Sequence, residues 1–173
     1  MAISLYDGSV TSYLQILDAV QGYLDKGLTH CQVNDIDPTE IVESRIFPDM
    51  LPFRFQVQSV AFHSLGAIEA IKSGVVGMPG PRPAHDYAGL QGLIADAREA
   101  LRRVTPEEIE AREGADVVFE ARGLRRVFTA EGFLTSFSLP NFHFHATTAY
   151  NILRSKGVPV GKFDYVGALR LKP

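Results

Sequence analysis

Apolar residues recur at intervals of three and four over four long stretches of this chain, and glycines or prolines interrupt or bound them. A period near 3.6 lines such residues along one side of a helix, so the pattern dictates amphipathic helices that bury one stripe against each other. The first stretch predicts a helix over 9–27, with Val10, Tyr13, Leu14, Leu17, Val20 and Leu24 on its stripe. Ser9 is placed to cap its start, and Gly27 to end it in a left-handed turn. The second covers 52–73 and stops at Gly74, with Val57, Val60, Ile68 and Ile71 inward. The third covers 87–104 through Leu90, Leu93, Ile94, Ala97, Leu101 and Val104. The fourth covers 130–156, carries Pro140 in its interior, and closes at Gly157 before Pro159.

Shorter signals lie between them. Asp37-Pro38-Thr39-Glu40 joins a cap to a first-turn proline and predicts a helix over 38–45, and Thr105-Pro106-Glu107-Glu108 starts another. The segment from Gly74 to Pro83 is rich in Gly and Pro and reads as a connection, while the tail from Val158 is short and mixed. β-Branched and aromatic residues flank Arg122-Gly123, so 117–121 and 125–128 predict a small hairpin. At 173 residues this is one domain over 1–173, an all-α antiparallel four-helix bundle with an accessory β-hairpin near 117–128.

Charge and composition exclude several functions. A net charge of -3 argues against nucleic acid as a partner. No apolar run approaches the ~20 residues of a membrane helix. The opening Met1 to Asp7 lacks the cationic and apolar regions of a secretory leader, and Cys31 has no cysteine to pair with, so a cytoplasmic location is expected.

Histidine is the informative residue type. Neither Glu-x-x-His nor His-x-x-x-His occurs around His30, His63, His85, His143 or His145. His143 and His145 stand two apart, which on a helix turns them about 200° from each other. His145 shares its face with Ser138, Asn141 and Thr148, so it is expected to point inward while His143 turns to the rim. His63 shares a face of small and polar residues with Gln56, Ser59, Ala67 and Ala70. The candidate catalytic residues are therefore His63, His145 and, as a proton donor, Tyr150, with Gln56, Asn141 and Thr148 as ligand contacts. Pro140 removes the donor that would meet the carbonyl of Ser136, so a bend is expected there, with Asn141 supplying a replacement.

The run Leu139-Pro140-Asn141-Phe142-His143-Phe144-His145-Ala146-Thr147-Thr148-Ala149-Tyr150-Asn151-Ile152-Leu153-Arg154, followed by Gly157-Val158, resembles the signature of the DUF1993 family, a domain of unknown function. Ser4-Leu5-Tyr6-Asp7, Pro48-Asp49-Met50-Leu51-Pro52 and Gln56-Val57-Gln58 extend the resemblance over nearly the whole chain. That family is similar in fold to the DinB/YfiT-like bundles, which include metal-dependent, thiol-cofactor-using transferases and isomerases. The resemblance implies a histidine on the second helix and two on the last, four apart. His63 and His145 match two of these positions, but Ala149 stands at the third, and Phe62 and Leu65 stand where many relatives carry an acid and a lysine. The expectation is a small molecule bound between the second and fourth long helices, without a stoichiometric metal. The alternatives are a metal- or thiol-cofactor-dependent small-molecule transferase or isomerase, with zinc or nickel held by His63 and His145 where a metal is present, and a purely structural dimerising bundle. A homodimer is expected because two-fold pairing is the commonest soluble assembly.

Overall fold

The computed structural model describes residues 3–77, 80–121 and 123–172. Four long helices form the antiparallel bundle. The first is α1 (Ser12–Val33), entered through a π-helical turn at Asp7–Thr11. The others are α3 (Phe53–Ser73), α4 (Tyr87–Arg102) and a last helix made of α6 (Ala130–Phe133), a π-helical turn at Leu134–Ser138, and α7 (Leu139–Ser155). Short helices α2 (Pro38–Val42), α5 (Pro106–Glu110) and α8 (Lys162–Val166) fill the connections and the tail. The core runs between the long helices, through fully buried Tyr13, Tyr23, Phe53, Phe133 and Phe142 among smaller aliphatic residues.

Local chemistry sets the ends of α3 and α4. Pro52 precedes the first turn of α3, and Gly74 ends it at φ 79°, a left-handed conformation that favours glycine. The Asp86 carboxylate accepts the backbone N–H of Gly89 at the start of α4. The α2 and α5 caps form as expected, with a reciprocal Thr105–Glu108 box on α5, although α2 ends at Val42, short of 45.

The first helix departs from expectation at both ends. Ser9 is buried inside the π turn and donates to the Leu5 carbonyl instead of capping a terminus. Gly27 lies within α1, which continues to Val33. The reason for glycine there is contact: a Cβ at Gly27 would stand 2.1 Å from the hydroxyl oxygen of Tyr87, which donates to the Leu24 carbonyl at 2.9 Å.

β1 (Asp116–Ala121) and β2 (Leu124–Thr129) pair antiparallel, Val117 opposite Phe128, around a turn with Gly123 at φ 77°. Arg122 of that turn lies outside the described residues. The hairpin is tied to the end of α3, because Val118 donates to the Gly74 carbonyl and accepts from Val76, both at 2.8 Å. The tail also holds more structure than its mixed composition suggested. α8 packs on α1, where Asp164 pairs with Lys26 at 2.7 Å and Gln15 donates to the Val166 carbonyl at 3.0 Å.

Candidate functional site

α3 and α7 pack along each other and carry the two histidines that sequence reasoning singled out. The imidazoles of His63 and His145 lie nearly parallel, with centroids 5.7 Å apart and planes 11° from each other. Both rings are half-buried. Phe137 and Phe62 meet His63 edge-on, and Phe55 meets His145 in the same way.

A buried chain of hydroxyls positions His63. Ser138 donates to the His63 carbonyl at 2.7 Å, so its other contact, 2.6 Å from the Tyr13 hydroxyl, must be one in which Tyr13 donates. This joins α1, the π turn and α3 at one point behind the imidazole. Among the described residues, no protein group hydrogen-bonds either ring nitrogen of His63.

The tautomer of His145 follows from a similar chain. Gln56 is buried, and its Nε2 donates to the Leu51 carbonyl at 2.8 Å, which leaves Oε1 facing His145 Nδ1 at 2.8 Å. A carbonyl oxygen only accepts, so Nδ1 carries the proton and Nε2 presents its lone pair. Gln56 thus acts through His145. Burial pushes the pKa of His145 down to about 4, with the Arg82 guanidinium adding to it. Burial does the same to His63, also to about 4, helped by His145 and then Arg82. Two neutral imidazoles therefore stand side by side at neutral pH.

Arg82 comes from the Gly- and Pro-rich connection that the sequence showed only as a linker. Its Nη1 donates to Ser59 Oγ at 2.9 Å and to the Phe55 carbonyl at 3.3 Å, and its guanidinium lies 4.1 Å from the centre of the Phe55 ring. The available signal was local: Arg82 stands between Pro81 and Pro83, whose fixed φ values stiffen the backbone that presents it.

The model of a domain of unknown function, DUF1993, matches residues 5–166. The chain belongs to the DUF1993 family. No curated protein matches it significantly. Among solved structures it is similar to the crystal structure of a DinB family member protein from Shewanella denitrificans at 1.83 Å resolution. The TM-score is 0.82 at 25% identity, covering 98% of this chain and 95% of that one.

The DinB-like metal site implied by the resemblance does not fit this DUF1993 chain. Among the described residues, no three His, Cys, Asp or Glu side chains converge where an ion could sit. His63 and His145 offer two donors, and the fourth-helix position one turn on is Ala149, fully buried.

Other candidates fall on either side of the pair. His143 is exposed, as expected, and its Nδ1 lies 3.1 Å from the Tyr165 hydroxyl. Tyr150 is not brought to the pair: its ring packs against Tyr23 and Tyr165, and its hydroxyl donates to the Val160 carbonyl at 3.4 Å. Thr148 is buried and donates within its own helix, to Phe144 at 2.7 Å. Asn141 Nδ2 donates to the Phe137 carbonyl at 2.7 Å, one residue beyond the expected Ser136. The π turn explains the offset, since Leu139 N–H reaches back five residues to Leu134 and shifts the register entering Pro140.

His63 also lines a cavity of about 10 Å³ with Phe62, Phe133 and Phe137, room for roughly one water. Phe62 also lines a cleft of about 310 Å³ between α3, α4 and the Gly80–His85 segment.

Proposed function

We propose that this DUF1993 protein binds a small molecule between α3 and α7, through a hydrogen-bond donor directed at His145 Nε2. One observation carries the reading: the Gln56 contact leaves Nε2 of a neutral, half-buried imidazole as an acceptor beside a second imidazole, and among the described residues no protein group bonds that Nε2 or the second ring. Phe55, Phe62 and Phe137 supply apolar edges for the rest of the ligand. A pKa of about 4 favours accepting a hydrogen bond over taking a proton, because roughly one molecule in a thousand would hold that proton at neutral pH. For the same reason the reading is binding rather than general-base catalysis, and the metal-dependent transferase alternative lacks its third ligand.

The test is a titration with phenol, and with anisole as a counterpart that cannot donate, followed by histidine side-chain 15N resonances. A saturable upfield shift of His145 Nε2 with phenol, weaker with anisole, is expected, and in His145→Phe the saturable response of the neighbouring His63 ring to phenol should be lost. Equal responses to the two probes, or no saturation, would overturn the reading.

A further inference from the structure

The cleft on the α4 side of α3 is walled by Ala61, Phe62, Leu65 and Leu93, and Arg82 and His85 bring its polar groups. Arg82 is held in place by Ser59, the Phe55 carbonyl and the Phe55 ring, which use only part of its five donors. It is half-buried, burial lowers its pKa, and among the described residues no carboxylate pairs with it. A half-buried guanidinium with no carboxylate on it keeps donors free for an anion.

His85 adds a second donor. Gln58 is 6% exposed, and its Nε2 donates to the Pro83 carbonyl at 2.8 Å and lies 2.9 Å from His85 Nδ1. The carbonyl contact fixes the amide, so in the neutral ring Nδ1 accepts and the proton sits on Nε2. Gln58 Oε1 is buried with no donor among the described residues. The acidic residue lining the cleft is Glu69, ten residues beyond Ser59 and so roughly 15 Å farther along the helix axis. It is too distant to neutralise Arg82, and it repels a second anionic group at that end.

We propose that this cleft binds a monocarboxylic acid with an apolar body, the carboxylate held by Arg82 with His85 as second donor and the body lying along Phe62, Leu65 and Leu93. The site is separate from the His63–His145 reading and stands or falls without it. An occupant would also reach the histidines electrically, because Arg82 lowers the pKa of both and a bound carboxylate cancels part of its charge.

Octanoate is the probe, with octanamide as its neutral counterpart and suberate as a diacid, titrated into the full chain by calorimetry and amide NMR. Saturable octanoate binding is expected, with shifts at Leu65 and Leu93 and a rise in both histidine pKa values. Octanamide, suberate and Arg82→Gln should each weaken binding by ~10-fold or more. Leu65→Trp, which fills the cleft and leaves Arg82 in place, should weaken octanoate as well, and it serves with the octanamide comparison if Arg82→Gln fails to fold. Octanoate that does not saturate, octanamide binding equally well, or undiminished binding in a folded Arg82→Gln or Leu65→Trp would each overturn the proposal.

Discussion

Gly27→Ala should destabilise the bundle even though alanine is the better helix former. The substitution adds one methyl group in the middle of α1, and its nearest neighbours would be Tyr87 Oη at 2.1 Å, Leu153 Cδ2 at 3.1 Å and Tyr87 Cζ at 3.3 Å. Tyr87 cannot yield freely: it is 3% exposed, stacked 6.1 Å from Phe53, and bonded to the Leu24 carbonyl. Overpacking of this kind costs about 1–3 kcal/mol, and losing the tyrosine hydrogen bond about 1 kcal/mol more. Exchanging glycine for alanine in a helix returns about 1 kcal/mol. The net loss is about 1–3 kcal/mol, or a fall in Tm of roughly 2–12 °C for a chain of this length. Urea unfolding of the wild type, Gly27→Ala, Tyr87→Phe and the double variant completes a cycle. In the Tyr87→Phe background the clashing oxygen is gone, so the alanine should cost at least ~1 kcal/mol less. A Gly27→Ala protein as stable as the wild type, or strict additivity in the cycle, would refute the packing argument.

Three further outcomes are expected. A histidine whose pKa is lowered on folding contributes stability that is complete above its unfolded value, about 6.5, and is lost as pH falls toward the folded value of about 4; His63 and His145 should together cost on the order of 2 kcal/mol between neutral pH and pH ~5, after allowance for their partial exposure. Urea midpoints across that range should fall for the wild type and fall less for His63→Phe. Gln56→Leu should let His145 populate both tautomers, visible in its 15N shifts, and should cost about 1–3 kcal/mol because the Leu51 carbonyl loses its donor too. Asn141→Ala removes the side-chain donor to the Phe137 carbonyl and should lower Tm by roughly 2–4 °C in a thermal melt.

What could be read from the sequence divides along the range of the forces involved. The start and stop of α3 and the caps of α2 and α5 come from residues within a turn of each other, and these were legible. The glycine at 27 looks the same in sequence as the one at 74, yet one admits a tyrosine from α4 and the other ends a helix. That distinction exists only once α1 and α4 are packed. Helical faces alone were enough to bring His145 toward His63 and leave His143 outside. They could not show that Gln56, held by Leu51, selects which nitrogen of His145 is bare. Arg82 is not legible in the sequence because a connection has no periodicity to read, nor is α8, because five residues are too few to show one.

The central claim is the state of one ring nitrogen. A long-range 1H–15N correlation spectrum, recorded from neutral pH down to pH ~4, reports both the tautomer of His145 and its titration. The account predicts a proton on Nδ1, an Nε2 shift typical of a bare acceptor, and a midpoint below pH ~5 for His145 and His63 alike. A proton on Nε2, or a His145 midpoint near the ordinary histidine value of about 6.5, would contradict it.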